Sequence, residues 1–298
     1  MIKMHNITKW RHTCSLLSCV FILISICSLA TKGLHFGLDF TGGILSEVKL
    51  DQILIAKEIQ EKLEMALNQP VSVVAAGEPH QWILRYAAPE KLNSQPEIKA
   101  MLTSFSDQVE ILNVSLVGPQ VGQELVEQGA LAVLITLLVI LVYMSFRFEW
   151  RLASGALLAL VHDVMLLLGF FSFTGMEFNL TVFAALLAVL GYSLNDSIIV
   201  SDRIRELLKA NVTLPIAELN NRSILFTLSR TLITSGTTLI SVGSLWLLGG
   251  EPLCGFSITM FIGIITGTWS TMTVATIIPE LTKLGPQHYM SSKISDTP

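Results

Sequence analysis

Residues 128–146, QGALAVLITLLVILVYMSF, form a run of nineteen residues that contains no Asp, Glu, Lys or Arg. As an α-helix this run is about 28 Å long, close to the roughly 30 Å thickness of the hydrocarbon core of a bilayer. Within that core a helix satisfies its own backbone hydrogen bonds, which a lipid-exposed irregular segment does not. The stretch therefore predicts a membrane-spanning helix.

Five other stretches have the same character. Charged residues make up only 14% of the 298 residues, against roughly a quarter in typical soluble domains, and apolar residues make up 51%. The predicted spans are 13–31, 128–146, 152–176, 178–201, 223–250 and 252–279. Three of them contain a single charged residue each, which are Asp163, Asp196 and Arg230. The sequence therefore predicts an α-helical polytopic membrane protein with six spans.

The basic residues of the short connections predict how the chain is oriented. Lys and Arg occur in the N-terminal segment 1–12, at 147–151, at 202–222, which we expect to be a loop, and in the tail 280–298. The other two short connections contain neither. Because Lys and Arg favour the cytoplasmic side, we expect both termini in the cytoplasm and residues 32–127 as an extracytoplasmic domain.

The first hydrophobic segment has two interpretations. Basic residues precede it, and Ser28-Leu29-Ala30 resembles a signal-peptide cleavage site. Its apolar run is longer than the 7–15 residues typical of a signal peptide, and it can span a bilayer unaided. We therefore expect it to be retained. Cleavage would leave the domain outside but remove its N-terminal tether.

Residues 32–127 predict a small α+β domain. Apolar residues recur at helical spacing between 52 and 67, and a second, weaker helix is predicted at 89–105. The strand candidates are 44–50, 71–75, 81–86 and 110–117, with a turn at 77–79. The resulting order βαββαβ is the ferredoxin-like arrangement. A lone His80 and no nucleophile motif make this a binding or lever module rather than a catalytic domain.

The charged residues inside the spans are the candidate functional residues, because an ionisable side chain in a membrane is costly. Asp196 lies in the motif SLNDS at 193–197. Arg230 begins a helix face that continues through Thr234, Thr237 and Ser241. By the predicted topology Asp196 and Arg230 lie at similar depth, so their charges can compensate each other.

Two interpretations of Asp196 and Arg230 remain open at this point. They could form a static pair that locks two helices together. They could instead form a switching pair, since burial favours the neutral form of a carboxylic acid and a nearby cation favours the ionised form. Asp163 near the middle of the third span has the same two interpretations, because the neighbouring His162 could simply hydrogen-bond it.

Several motifs, in order along the chain, resemble those of the SecF subunits of the bacterial Sec protein translocase. Residues 36–43 are FGLDFTGG, which is similar to the SecF signature FGIDFTGG. The further matches are VGPQVG at 117–122, FRFEWR at 146–151, HD at 162–163, GYSLNDS at 191–197, DRIRE at 202–206, SRT at 229–231 and TSGTT at 234–238. The resemblance covers about residues 10 to 280.

The resemblance implies a function and a set of site residues. SecF pairs with SecD to form an RND-like assembly, which associates with the SecYEG channel and uses the proton-motive force to assist late preprotein translocation across the cytoplasmic membrane. It implies a proton-pathway role for Asp196 and Arg230, and a less specific one for Asp163. The residues of the family motifs themselves are Asp39, Gly42, Gly43, Asn195, Asp202 and Arg203.

The same resemblance implies which molecules the chain meets. Besides SecD and SecYEG, the partners would be YajC, YidC, the preprotein and membrane lipids, with no nucleic acid. The proton would be the coupling ion, and no cofactor is expected. The external domain would be the part that moves.

Two other functions are open at the level of sequence. One is half of an RND-type exporter of small molecules or lipids, although an external domain of under 100 residues is small for that class. The other is a passive scaffold of the channel, in which Asp196 and Arg230 are purely structural. An enzyme is not expected, since the sequence has no P-loop, metal motif or nucleophile elbow.

Overall fold

The computed structural model describes residues 4–51, 56–69, 71–76, 80–87, 102–103, 109–210 and 213–289. Its helices are α1 (Met4–Lys32), α2 (Leu38–Thr41), α3 (Ala56–Leu67), α4 (Pro119–Arg147), α5 (Trp150–Thr174), α6 (Leu180–Ala210), α7 (Ile216–Leu248), α8 (Glu251–Thr273) and α9 (Ile277–Leu281), followed by a 3-10 turn at Pro286–His288. Its strands are β1 (Gly43–Leu50), β2 (Val71–Ala75), β3 (Gln81–Tyr86) and β4 (Val109–Val117). The predicted turn at 77–79 and nearly all of the predicted helix at 89–105 lie outside the described residues.

Six helices of the described chain are long and apolar enough to cross a membrane, as the sequence predicts. They are α1, α4, α5, α6, α7 and α8, the last continuing into α9. The helices α6 and α8 pack against each other at the centre, and α1 packs along α5. The bundle is therefore a multi-pass membrane unit in which the first helix is an integral part.

The prediction of a loop over residues 202–222 is wrong. Helix α6 continues to Ala210, and α7 begins at Ile216. The physical reason is that this polar stretch is amphipathic. Ile204 and Leu208, one turn apart, are both buried, while Glu206 between them is exposed. The helix thus continues past the apolar stretch because its inner face still has a core to contact.

The inserted domain is a four-stranded antiparallel sheet in the order β2-β3-β1-β4. That order is the one the ferredoxin-like arrangement requires, with β1 and β3 in the centre. Helix α3 buries Ile59 and Leu63 against sheet residues that include Val48 and Leu84. Within the domain, Ser46 and Tyr86 hold each other by a buried hydrogen bond of 3.0 Å between their hydroxyls, and burial raises the pKa of the Tyr86 phenol.

Candidate functional site

The carboxylate of Asp163 lies at the centre of the bundle and is completely buried. Ser193 Oγ on α6 and Ser270 Oγ on α8 donate hydrogen bonds to its Oδ2, at 2.6 and 2.9 Å. Its Oδ1 lies 3.0 Å from Nδ1 of His162. Gly267 makes room for this arrangement, since a Cβ there would lie 3.1 Å from the side chain of Ser193. Three helices therefore converge on a single acid whose two oxygens both have partners.

Asp196 lies one turn after Ser193 along α6, and its surface is 2% exposed. Its Oδ2 is buried and has no hydrogen-bond partner among the described residues. On the next residue, Ser197 Oγ lies 3.3 Å from Thr271 Oγ1 of α8. A buried polar atom without a partner is unfavourable by about 1–3 kcal/mol, so a protein retains it where it has a use. Asp196 is therefore the strongest candidate functional group in the bundle.

Arg230 occupies the outer surface of α7, where its side chain is exposed on this chain. No carboxylate of the described residues lies within 4.0 Å of its guanidinium. The described residues therefore contain no direct ion pair between Asp196 and Arg230.

The face that follows Arg230 along α7 is also at the surface. The hydroxyls of Thr234, Thr237 and Ser241 donate to carbonyls of their own helix at 2.9–3.1 Å. Hydroxyls bonded in this way are satisfied within one helix and leave their side chains free to meet a neighbour. The predicted stripe is thus present, and it faces away from the core of this chain.

A second set of hydroxyls connects α6, α7 and α8 beside Asp196. The hydroxyl of Tyr192 donates to Ser235 Oγ at 3.3 Å, and Ser235 Oγ lies 2.8 Å from Thr268 Oγ1. No role of Thr268, Ser270 or Thr271 was predicted from the sequence. The available signal is the density of hydroxyl residues in the last span, which carries six Ser or Thr residues between 266 and 276.

The family-motif residues of 36–43 lie at the junction of the bundle and the external domain. Asp39 Oδ2 accepts a hydrogen bond of 2.9 Å from the backbone N–H of Leu180, the first residue of α6. A carboxylate at this place stabilises the free N–H groups and the positive end of the helix dipole. Gly42 and Gly43 have φ values of +74° and +156°, which only glycine adopts readily. These residues therefore shape and cap the junction.

The remaining motif residues lie elsewhere on α6. Asn195 is exposed on the side opposite to the core. Asp202 pairs with Arg147 at 3.2 Å and with Arg205 at 2.5 Å, at the end of the bundle where α4 ends. Arg203 pairs with Glu206 at 2.6 Å and lies over the ring of Phe226 at 4.2 Å. The structure thus buries Asp163 of α5 against Ser193 of α6, buries Asp196 one turn further along α6, and places the other motif residues at helix ends and surfaces. Within the described residues no group of three His, Cys, Asp or Glu side chains could hold a metal ion.

A bundle of six spanning helices with two buried acids, carrying a ferredoxin-like domain after its first helix, defines a multi-pass membrane protein of the transporter type. Residues 97–283 match the C-terminal family of the protein export membrane proteins SecD and SecF, and residues 28–52 match the SecD/SecF GG motif. The protein translocase subunit SecF of Vibrio alginolyticus is 40% identical over 96% of this chain and 92% of its own length. The chain therefore belongs to the SecF family of the SecD/SecF export proteins.

Further relatives and solved structures agree with this assignment. The protein translocase subunit SecF of Escherichia coli O157:H7 is 38% identical over 98% of this chain and 92% of its own. The crystal structure of SecDF from Thermus thermophilus, described as a translocon-associated membrane protein, superposes with a TM-score of 0.81 at 32% identity over 95% of this chain. The chain spans 40% of the length of that SecDF chain. A super-membrane-facing form of SecDF gives a TM-score of 0.70.

The serines around Asp163 give a prediction about stability. We expect Ser193→Ala and Ser270→Ala each to lower the free energy of unfolding by about 1.5–3 kcal/mol, because each removes a hydrogen bond to a buried acid. The measurement is thermal unfolding of the full chain in detergent. Ser244→Ala is the control, since that exposed hydroxyl bonds only the Ile240 carbonyl of its own helix. Equal midpoints for all three variants would contradict a supporting role for the two serines.

Proposed function

We propose that this chain is the SecF-type accessory subunit of a Sec translocase. With a SecD-type partner it would use the proton-motive force to assist the late translocation and release of preproteins. The observation that carries the proposal is the buried Oδ2 of Asp196, which has no hydrogen-bond partner among the described residues. The names of the relatives support the translocase part of the proposal, and the geometry of Asp196 supports the proton-coupling part.

Asp196 is suited to respond to a proton because both of its charge states have a compensation in the fold. When ionised, it is attracted by the charge of Arg230. When protonated, it loses that attraction but also the cost of holding a charge away from water. Proton uptake therefore weakens the link between α6 and α7. We propose that this change in helix packing is the coupling step.

The outer end of α6 offers a route from this step to the external domain. Leu180 at the start of α6 is bonded to Asp39, and Asp39 belongs to the short helix α2 that leads directly into β1. A shift of α6 along or about its axis therefore acts on the base of the external sheet. A single rigid helix connects the buried acid with the domain that would move.

The surface of α7 supports a partner in the membrane. An arginine, an asparagine and a row of hydroxyls exposed on spanning helices are costly next to lipid and are favourable next to a second polar surface. Arg230 and Thr237 are exposed on α7, and Asn195 is exposed on α6. We propose that a SecD-type chain covers them. Association with SecYEG, YajC and YidC, and contact with the preprotein, belong to the same proposal.

Orientation and location complete the proposal. We place the protein in the bacterial inner membrane with both termini in the cytoplasm. The basic residues at 147–151, at 202–222 and in the two terminal segments support this orientation. The external sheet then lies on the periplasmic side, where a preprotein leaves the channel.

The role of Arg230 is tested by comparing Arg230→Met with the double variant Asp196→Asn/Arg230→Met. We expect Arg230→Met alone to abolish the proton-driven stimulation of translocation, because Asp196 then has no nearby cation to favour its ionised form. The double variant should lose no more of the proton-driven stimulation than either single variant does. Translocation into inverted membrane vesicles, with and without an uncoupler, measures the effect. Arg230→Lys, which keeps the charge, is expected to retain part of the stimulation.

Copurification with the SecD-type chain separates a coupling role of Arg230 from a role in assembly. If Arg230→Met no longer copurifies with SecD, the residue acts in assembly and the coupling role is wrong. If association and proton-driven stimulation both survive, Arg230 takes no part in the coupling and the proposed role of this residue is wrong.

A further inference from the structure

The external domain is attached to the bundle at one corner of its sheet. The chain enters the sheet at Gly43, the start of β1, and leaves it at Gly118, after the end of β4. These two strands are neighbours, and Gly43 pairs with Val117 in their antiparallel register. Both attachments therefore lie side by side. A domain held by two adjacent strands can turn about them unless a third contact restrains it.

Such a third contact is present on the next strand. Arg85 of β3 forms an ion pair with Glu177, which lies in the connection between α5 and α6, and the two side chains are 3.2 Å apart. The side chains of Arg85 and Glu177 are only 23% and 31% exposed. This pair joins the sheet directly to the outer end of the bundle, one strand away from the two attachments.

The backbone around Glu177 is fixed to the family motif. The N–H of Gly37 donates to the carbonyl of Phe178 at 2.9 Å, and the N–H of Phe178 donates to the carbonyl of His35 at 2.7 Å. The Glu177 carboxylate lies directly over Gly37, in the place where a Cβ would be. Gly37 thus permits the carboxylate to reach across the motif towards β3.

The space around the pair is open rather than packed. A cavity of about 240 Å³ lies between sheet and bundle, and its lining includes Val74, Arg85, Glu177 and Cys254. Partly exposed ion pairs contribute little to stability, so this pair can open and close without unfolding its surroundings. The combination of a narrow attachment, an open gap and one directional charge contact is what a releasable restraint requires.

We propose that Arg85 and Glu177 form a latch that holds the external domain against the outer end of the bundle. When the latch opens, the sheet turns about its attachments at Gly43 and Gly118. The latch does not depend on proton coupling through Asp196, so it stands even if that proposal fails. Arg85 and Glu177 are positioning residues, since they set the pose of the domain.

The test measures the distance between domain and bundle in the complete complex. Spin labels are placed on Met65 of α3 and Leu248 of α7, both highly exposed, after the four native cysteines are replaced by alanine. The full chain, together with its SecD-type partner, is reconstituted in liposomes. Distance distributions are then recorded for the parent, for Arg85→Glu, for Glu177→Arg and for the double reversal Arg85→Glu/Glu177→Arg.

We expect each single reversal to shift the distribution to longer distances and to broaden it. The double reversal should restore most of the parent distribution, because it rebuilds the pair with opposite polarity. Glu218→Arg is the matched control and should change nothing. Glu218 has the same exposure as Glu177 and pairs with Arg222 at 2.7 Å, at the other end of the bundle.

Two results would overturn the latch. One is an unchanged distribution in both single reversals. The other is a double reversal that stays as displaced as the single ones, which would mean that the side chains act through shape rather than through their charges.

Discussion

Asp196→Asn is expected to reduce proton-driven translocation to the level measured without a proton gradient, while association with a SecD-type partner stays normal. Asparagine has nearly the same size as aspartate, so the packing of α6 against α8 is preserved. What it removes is the capacity to be charged in one state and neutral in the other. If the switch between those states is the coupling step, its loss removes the whole effect of the gradient.

The experiment compares translocation in inverted vesicles with and without an uncoupler. Glu206→Gln is the matched control, because Glu206 is an exposed acid on the same helix and pairs only with Arg203 among the described ion pairs. It should leave the response to the gradient intact. Asp196→Glu keeps an acid and is expected to retain part of the response. A full response in Asp196→Asn would show that the proton does not act through this residue.

The number of spanning helices and the sheet of the external domain follow from the sequence. Charge-free runs of nineteen or more residues have few alternatives to a membrane helix, as 128–146 illustrates. The strands at 71–75 and 81–86 were predicted with the bounds that the structure has. Both patterns depend on residues close together in the chain, which is why they could be predicted from the sequence.

The ends of the helices and the partners of the buried acids depend on other parts of the fold. The polar segment after Ser201 was predicted as a loop, because hydropathy alone does not distinguish a polar loop from a helix that continues into water. The rotation of α8 that brings Ser270 to Asp163 has no local signature in the sequence. The same applies to Arg230, whose distance from any carboxylate depends on how α7 is rotated.

The exposure of Arg230 helps to decide whether Asp196 and Arg230 form a static pair or a switching pair. A static lock between α6 and α7 requires a direct contact, and the described ion pairs include none between Asp196 and Arg230. An arginine at the surface of one half of an assembly can instead respond to groups on the other half. The described geometry therefore does not contain the static lock, and the switching pair belongs to the function proposed above.

Arg11 is the largest fully buried side chain of the described residues, and only 1% of its surface is exposed. Its guanidinium donates a hydrogen bond of 2.7 Å to Asn221 Oδ1 of α7 and pairs with the carboxylate of Glu280 on α9. Glu280 Oε1 also lies 3.1 Å from His12 Nε2. A charged network thus ties the start of α1 to two other helices at the end where the basic residues cluster.

Arg11→Met is therefore expected to destabilise the protein by about 3–5 kcal/mol, because it leaves the Glu280 carboxylate without its cation in a largely buried site. Lys9→Met, which removes an exposed charge two residues away, should change stability by less than about 0.5 kcal/mol. Thermal unfolding of the full chain in detergent measures both. The double variant Arg11→Met/Glu280→Gln is expected to recover part of the loss, since no charge is then left unpaired. Similar midpoints for Arg11→Met and Lys9→Met would contradict this network.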